Sequence, residues 1–269
     1  MSEIDATGTA AGSARGSSPV VELRDVSKRF GAKQAVRPLS LELYAGEVFA
    51  VLGPNGAGKT TTLKMTTGLL RSDTGSVTIC GHDMHRDNRD AKRFLAYVPD
   101  QPFLYDKLTG REFIRFAADI YGVAAADSRA RLEALSERLD MGPFLDQLTE
   151  AYSHGMKQKV ALAAAMIHEP RVLIVDEPIV GLDPRTIRVI KDMFREIAFR
   201  GGTVFMSTHT LDIVESIADR IGIISAGKLV ALGTLEELQR DDPARGRLED
   251  IFLRVTATDG NGEPPNGNP

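Results

Sequence analysis

The 269-residue sequence predicts an α/β fold: a mainly parallel sheet covered by helices, with a helical lobe inserted into it. Three observations carry that prediction. Residues 47–52 are short, apolar and rich in β-formers, and they run through a glycine-rich turn directly into a helical start. From residue 171 onward, strand and helix patterns alternate, as parallel β-α-β units require. Between these two stretches, residues 111–148 switch to helical spacing and interrupt the alternation.

The elements follow in order. Residues 1–18 are rich in Ser, Gly, Ala and Thr and are expected to form a disordered tail. Residues 20–23 and 39–43 have short-period strand patterning, and residues 47–52 form the strand before the glycine turn. Residues 76–80 make a strand between Gly75 and Gly81, with Cys80 as its last residue, and residues 94–98 make another that stops at Pro99. In the helical stretch Phe113, Phe116 and Ile120 recur at helix spacing, as do Leu132, Leu135 and Leu139, with Gly122 and Gly142-Pro143 as punctuation. Then come a strand at 171–175, a helix at 185–200, a strand at 203–207 and a helix at 211–218. Residues 221–225 and 228–232 flank Ala226-Gly227 as a hairpin, and 248–255 form a short closing helix. The expected organisation is one domain over residues 19–256, a helical lobe at about 103–168, and a disordered tail at 257–269.

Composition narrows the function classes. A hydrophobic fraction of 42% supports a substantial core, and a net charge of −4 gives no footprint of a nucleic-acid binder. The single cysteine excludes an internal disulfide framework and fits a reducing compartment. No apolar run approaches the roughly 20 residues that cross a bilayer, and the first twenty residues lack the pattern of a secretory signal. Any membrane role is therefore expected to run through a partner.

The strongest chemical signal is Gly53-Pro54-Asn55-Gly56-Ala57-Gly58-Lys59-Thr60, which meets every fixed position of the pattern G-x-x-x-x-G-K-[ST]. Glycines let the backbone curl so that successive N–H groups face one phosphate. The helix that follows, through Thr61, adds unpaired donors and a partial positive charge. In this pattern Lys59 reaches the β- and γ-phosphates and the Thr60 hydroxyl binds Mg²⁺. A second element is the apolar run at 172–175 ending in Asp176-Glu177. Charge at the end of a buried strand needs a partner, and the crevice beyond the carboxyl ends of α/β strands is where ligands bind. Asp176 is expected to hold Mg²⁺, directly or through water, and Glu177 to orient or deprotonate an attacking water.

With those elements in place, the sequence from about Val20 to Val255 resembles the ATP-binding-cassette (ABC) ATPases, the motor subunits of ABC transporters. Further segments in family order carry the resemblance. Tyr152-Ser153-His154-Gly155-Met156-Lys157-Gln158 is similar to the family signature, with Tyr152 and His154 departing from its usual leucine and glycine. The resemblance implies that Ser153 and Gly155 clamp the γ-phosphate of ATP held by a second subunit. Gly181-Leu182-Asp183-Pro184 is similar to the D-loop, where Asp183 couples two sites, and an N-cap is the alternative role for Asp183. His209 is similar to the switch histidine at the γ-phosphate, and Phe30 to the aromatic that stacks on adenine. In Val98-Pro99-Asp100-Gln101-Pro102 the family's glutamine position falls on Asp100; either Asp100 supplies the metal-side oxygen or the loop shifts to use Gln101.

The resemblance implies a P-loop NTPase core of ABC type with an antiparallel β subdomain, ATP and Mg²⁺ as cofactors, and catalysis by Lys59, Glu177 and His209. It also implies a head-to-tail homodimer or heterodimer of cassettes on an integral membrane permease, peripheral at the cytoplasmic face of the membrane, with no nucleic acid. The wording at 105–113 and 248–253 is most similar to the exporter branch for drugs, antibiotics, polysaccharides and lipids. Three rivals are weighed against it: a soluble non-transport ABC ATPase in assembly or scaffolding, a nucleic-acid or ribosome factor, and a binding module with impaired hydrolysis.

Overall fold

A computed structural model describes residues 18–242 and 246–257. Apart from Ser18 and Ala257, the expected tails lie outside the described residues. The strands and helices are β1 (Val21–Phe30), β2 (Lys33–Leu43), β3 (Val48–Leu52), α1 (Lys59–Thr66), β4 (Thr74–Ile79), β5 (His82–Asp83), α2 (Asn88–Arg93) and β6 (Leu95–Val98). They continue with α3 (Gly110–Ile120), α4 (Ala125–Arg138), α5 (His154–Met166), β7 (Val172–Asp176), α6 (Pro184–Phe199), β8 (Thr203–Thr208) and α7 (Leu211–Ile217). The last are β9 (Arg220–Ser225), β10 (Lys228–Gly233), α8 (Leu235–Asp241) and α9 (Leu248–Ala257).

Two sheets form. The central one has six strands in the order β10-β9-β3-β8-β7-β6, parallel except for the antiparallel edge pair β9–β10. The smaller one is antiparallel, β2-β1-β4-β5. Strand alternation divides the interior between two clusters. Phe49, Val51, Ile174 and Phe205 point toward the small sheet and pack with Leu63 and Met65 of α1. Val48, Ala50, Leu173, Val175, Val204 and Met206 point to the other face, under residues of α3, α5 and α6. The glycine turn thus leaves the carboxyl edge of the central sheet and α1 returns between the two sheets.

Turn chemistry sets two of the three two-residue hairpins, β4–β5 and β9–β10. Ala226 and Gly227 take φ 46° and 78°, and Cys80 and Gly81 take φ 50° and 86°, the paired left-handed conformations that match strand twist. Cys80 therefore sits in the β4–β5 turn rather than ending the strand, and burial raises its thiol pKa, away from the thiolate form.

The stripe expected on α3 is displaced. Phe116 and Ile120 are 42% and 66% exposed, while Gly110, Ile114 and Ala118 are buried. The cause is close packing on α5, whose Val160 Cγ2 would lie 3.2 Å from a Cβ on Gly110. The same Cβ would lie 2.6 Å from the Tyr152 hydroxyl, so small side chains face inward, Phe113 is only partly buried, and Phe116 and Ile120 turn out. The short helices α2 and α8 escape apolar periodicity because each spans only about two turns.

Candidate functional site

The chain leaves β3 at Leu52 and enters α1 at Lys59. Gly53 and Gly58 are dictated by crowding. A Cβ would meet the Ile224 carbonyl oxygen at 2.4 Å in the first case and that of Ala35 at 2.6 Å in the second. Gly56 and Gly58 also take φ 79° and 110°, where L side chains are strained. The loop is laced to the rest of the fold: the Gly227 N–H donates to the Ala57 carbonyl at 2.9 Å, and the Arg37 N–H to the Gly227 carbonyl at 2.8 Å. No side chain caps α1 and no acidic residue sits in its first turn, so its donors stay available to an anion.

Lys59 is buried. Its Nζ donates to the carbonyls of Gly53 at 2.8 Å and Pro54 at 3.3 Å, and lies 3.7 Å from Glu177 Oε1. Glu177 Oε1 also accepts from His209 Nδ1 at 2.9 Å, and since a carboxylate only accepts, the ring nitrogen carries the proton. Glu177 holds φ 49° and its N–H donates to the Ser207 carbonyl at 3.0 Å. Such a backbone costs about 1–3 kcal/mol and persists only where its surroundings over-determine it.

Asp176 ends β7 and is 1% exposed. Its Oδ1 accepts from the Ser207 hydroxyl on β8, while its Oδ2 is buried without a partner among the described residues. An unpartnered carboxylate oxygen beside an anion cradle fits a cation. Among the described residues no three His, Cys, Asp or Glu side chains converge as a metal-holding group. A nucleotide's Mg²⁺ would take one or two protein ligands and complete its shell with phosphate oxygens and water.

These residues line or underlie one cleft of about 290 Å³. Its walls are Phe30, Pro54, Asn55, Gly56, Ala57, Gly58, Lys59, Thr60, Thr61, Asp100 and Glu177, joined by Lys33 and Ala35. Phe30 is half exposed at the end of β1, and the Lys28 Nζ lies 5.8 Å from its ring centroid. Asp100 faces the cleft, whereas Gln101 is exposed and takes no part in its walls. Gly53 is buried and outside the walls, and His209 acts on the cleft through Glu177.

Ser153, Gly155 and Asp183 are not among the walls. Ser153 caps α5 by accepting from the Met156 N–H at 3.3 Å. A Cβ on Gly155 would sit 3.3 Å from the Gly181 carbonyl, so the two segments pack together. Asp183 caps α6, accepting from the Thr186 hydroxyl at 2.6 Å and the Thr186 N–H at 3.0 Å. The Thr186 hydroxyl and then its N–H lower the Asp183 pKa. Tyr152 earns its place structurally: its hydroxyl donates to the Phe144 carbonyl at 2.8 Å and accepts from the Gly110 N–H at 3.1 Å. Lys33, Ala35 and Ser207 were not legible as site residues, because the loop from β1 to β2 and the pairing of β7 with β8 bring them in.

Residues 36–180 match the ABC transporter family, more than half of the chain. The linearmycin resistance ATP-binding protein LnrL of Bacillus subtilis (strain 168) is 35% identical over 81% of this chain and 70% of its own length. The Nod factor export ATP-binding protein I of Burkholderia lata is 36% identical over 79% of this chain and 70% of its own. A solved structure described as the ATP binding subunit of an ABC transporter superposes with a TM-score of 0.84 at 33% identity, covering 88% of this chain and 99% of that one.

Proposed function

The chain belongs to the ABC transporter family as an ATP-binding subunit, and from that premise we propose that it drives export by closing on ATP with a second cassette and hydrolysing it. It powers substrate movement through a separate membrane permease. The observation that carries the reading is the joining of Lys59 and Glu177 in one cleft with the glycine cradle, with His209 bonded to Glu177. The phosphates lie along the backbone N–H groups of 56–60, Lys59 exchanges its carbonyl partners for phosphate oxygens, and Phe30 stacks on the base. Thr60 and Asp176 would hold Mg²⁺, with Asp100 lining the same cleft, and the bound ion would supply charge neutralisation at the γ-phosphate. Glu177 takes the proton of the attacking water or orients it, and His209 holds Glu177 by a donated hydrogen bond.

Ser153 and Gly155 serve the other subunit's nucleotide. Their place outside the chain's own cleft supports a head-to-tail dimer, homomeric or heteromeric, in which each α5 N-terminus closes its partner's site. The membrane partner docks on the aromatics that follow Asp100. Phe103 and Tyr105 are 79% and 49% exposed, and the Tyr105 ring lies 5.7 Å from that of Phe116. No helix among the described residues is long and apolar enough to cross a membrane, and the chain works as a peripheral subunit at the cytoplasmic face. The export names of relatives such as the Nod factor protein support the direction.

Glu177→Gln tests the reading. It preserves shape and the His209 contact but removes the base, so turnover falls by about 10²–10⁴-fold while ATP binding persists. The ATP-loaded variant, purified in mild detergent, brings down a polytopic membrane protein in stoichiometric amount. Undiminished hydrolysis sinks the assignment of Glu177, and purely soluble partners move the cassette to an assembly role.

A further inference from the structure

Two strands adjacent to β7 carry hydroxyl side chains on the face of Asp176: Ser207 on β8 touches it, and Tyr97 on β6 stands level with Ile174, two residues earlier. On β8, Ser207 pairs with Asp176 in register and donates to its Oδ1. On β6, Tyr97 pairs with Ile174, two residues before Asp176 on the same strand. Partners across a parallel pair, and residues two apart along a strand, share a face of the sheet. Tyr97 therefore projects on the face that carries Ile174 and Asp176, and it packs against the cluster that contains Ile174.

The Tyr97 hydroxyl is buried and has no partner among the described residues. The free Oδ2 of Asp176 is in the same condition. One is a donor and the other a pure acceptor. Buried polar groups are paired in native proteins directly or through water. The other buried phenol near this lobe behaves as expected, since Tyr152 satisfies its hydroxyl twice. Were the position only a core site, phenylalanine would fill it without stranding an oxygen. Burial, and then the charges of Asp176 and Asp100, push the Tyr97 ionisation upward, so the group stays a neutral donor.

We propose that Tyr97 is a positioning residue for the metal side of the nucleotide site: its hydroxyl donates through a bridging water to Asp176 Oδ2, completing from β6 the alignment that Ser207 begins from β8. The inference rests on the Mg²⁺-nucleotide reading above. Asp176 is thereby held in one rotamer with its lone pairs aimed at the cation, the service that outer-shell groups perform for metal-binding carboxylates.

Tyr97→Phe in the full chain removes one oxygen and keeps the ring. The measurement is calorimetric titration of Mg²⁺, and of Mn²⁺ as a paramagnetic probe, into protein saturated with a non-hydrolysable ATP analogue. Tyr97→Phe weakens the metal by about tenfold, at the low end for outer-shell partners, and Ser207→Ala does so at least as strongly. Nucleotide affinity in chelator and the metal-free melting temperature stay at or above the wild-type value. Metal affinity of Tyr97→Phe within twofold of wild type, while Asp176→Asn loses it, overturns the proposal alone. A marked fall in the metal-free melting temperature overturns it in favour of a purely structural hydroxyl. Nucleotide binding indifferent to metal in wild type and in Asp176→Asn alike overturns both this inference and the reading beneath it.

Discussion

The helices α1 and α5 both begin without an acidic residue in the first turn, yet they are finished differently. The turn before α1 ends on Gly58 with no side-chain cap, and its first residue is the buried Lys59. The turn before α5 ends on Ser153, which caps its own helix, and His154 lies against Gly181. By contrast α3 and α8, which carry no proposed ligand, begin with complete capping boxes through Glu112 and Glu237. Helices that only need to be stable neutralise their N-termini with their own carboxylates, whereas α1 leaves that charge to a ligand. In the single chain α1 meets Glu177 across a cleft, while α5 has no such counterpart. In the proposed dimer, the first serves the chain's own nucleotide and the second closes the site of a second subunit.

Breaking the chain's own site has the largest effect. Lys59→Ala removes a charged donor worth about 1.5–3 kcal/mol, so ATP affinity falls by roughly 10–100-fold; equilibrium binding of a fluorescent ATP analogue reads this, and an unchanged Kd would falsify the cradle assignment. Ser153→Ala sharpens the comparison from the other side. It costs about 1 kcal/mol of capping stability, shifting Tm by about 2–4 °C, and leaves ATP affinity of the monomer intact. ATP-driven dimerisation of the Glu177→Gln background is nonetheless lost, as light scattering reports. A dimer that persists would return Ser153 to a purely capping role.

The smallest effect lies past the far end of α5. His168 stacks on Tyr121 with ring centroids 3.6 Å apart, and burial holds its pKa down at about 4 against 6.5 unperturbed. Between those values the unfolded chain binds a proton that the folded chain refuses, so the His168 contribution is whole above pH 6.5 and drains away as pH falls toward 4. His168→Phe keeps a stacking ring without the titration, and its melting temperature declines less from pH 7 to 5 than that of wild type. Parallel declines would show that some other group governs the acid limb.

Much of this was legible because local chemistry and global position agree. The glycine loop is recognisable from spacing alone, since the backbone curvature it needs is available only to glycine at Gly56 and Gly58. Asp176 was legible because an acid ending an apolar strand demands a partner. The face of α3 was not, because Phe113, Phe116 and Ile120 fit helical spacing as well as Gly110, Ile114 and Ala118 do, and only the close approach of α5 chooses between them. The ambiguity between Asp100 and Gln101 had the same origin: adjacent loop residues look equivalent until the loop's path turns one toward the cleft.

The sequence by itself determined the phosphate chemistry, the α/β class and the membership of the ABC transporter family, because each is written in residues close along the chain. Tertiary structure decided which groups meet. It brought Glu177 to Lys59, seated Ser207 beside Asp176, pressed Ala35 against Gly58, and kept Ser153 out of the chain's own cleft. The physical reason is strand order: β3, β8, β7 and β6 are neighbours in the sheet but far apart in the chain, so contacts among their ends depend on packing that no local pattern records.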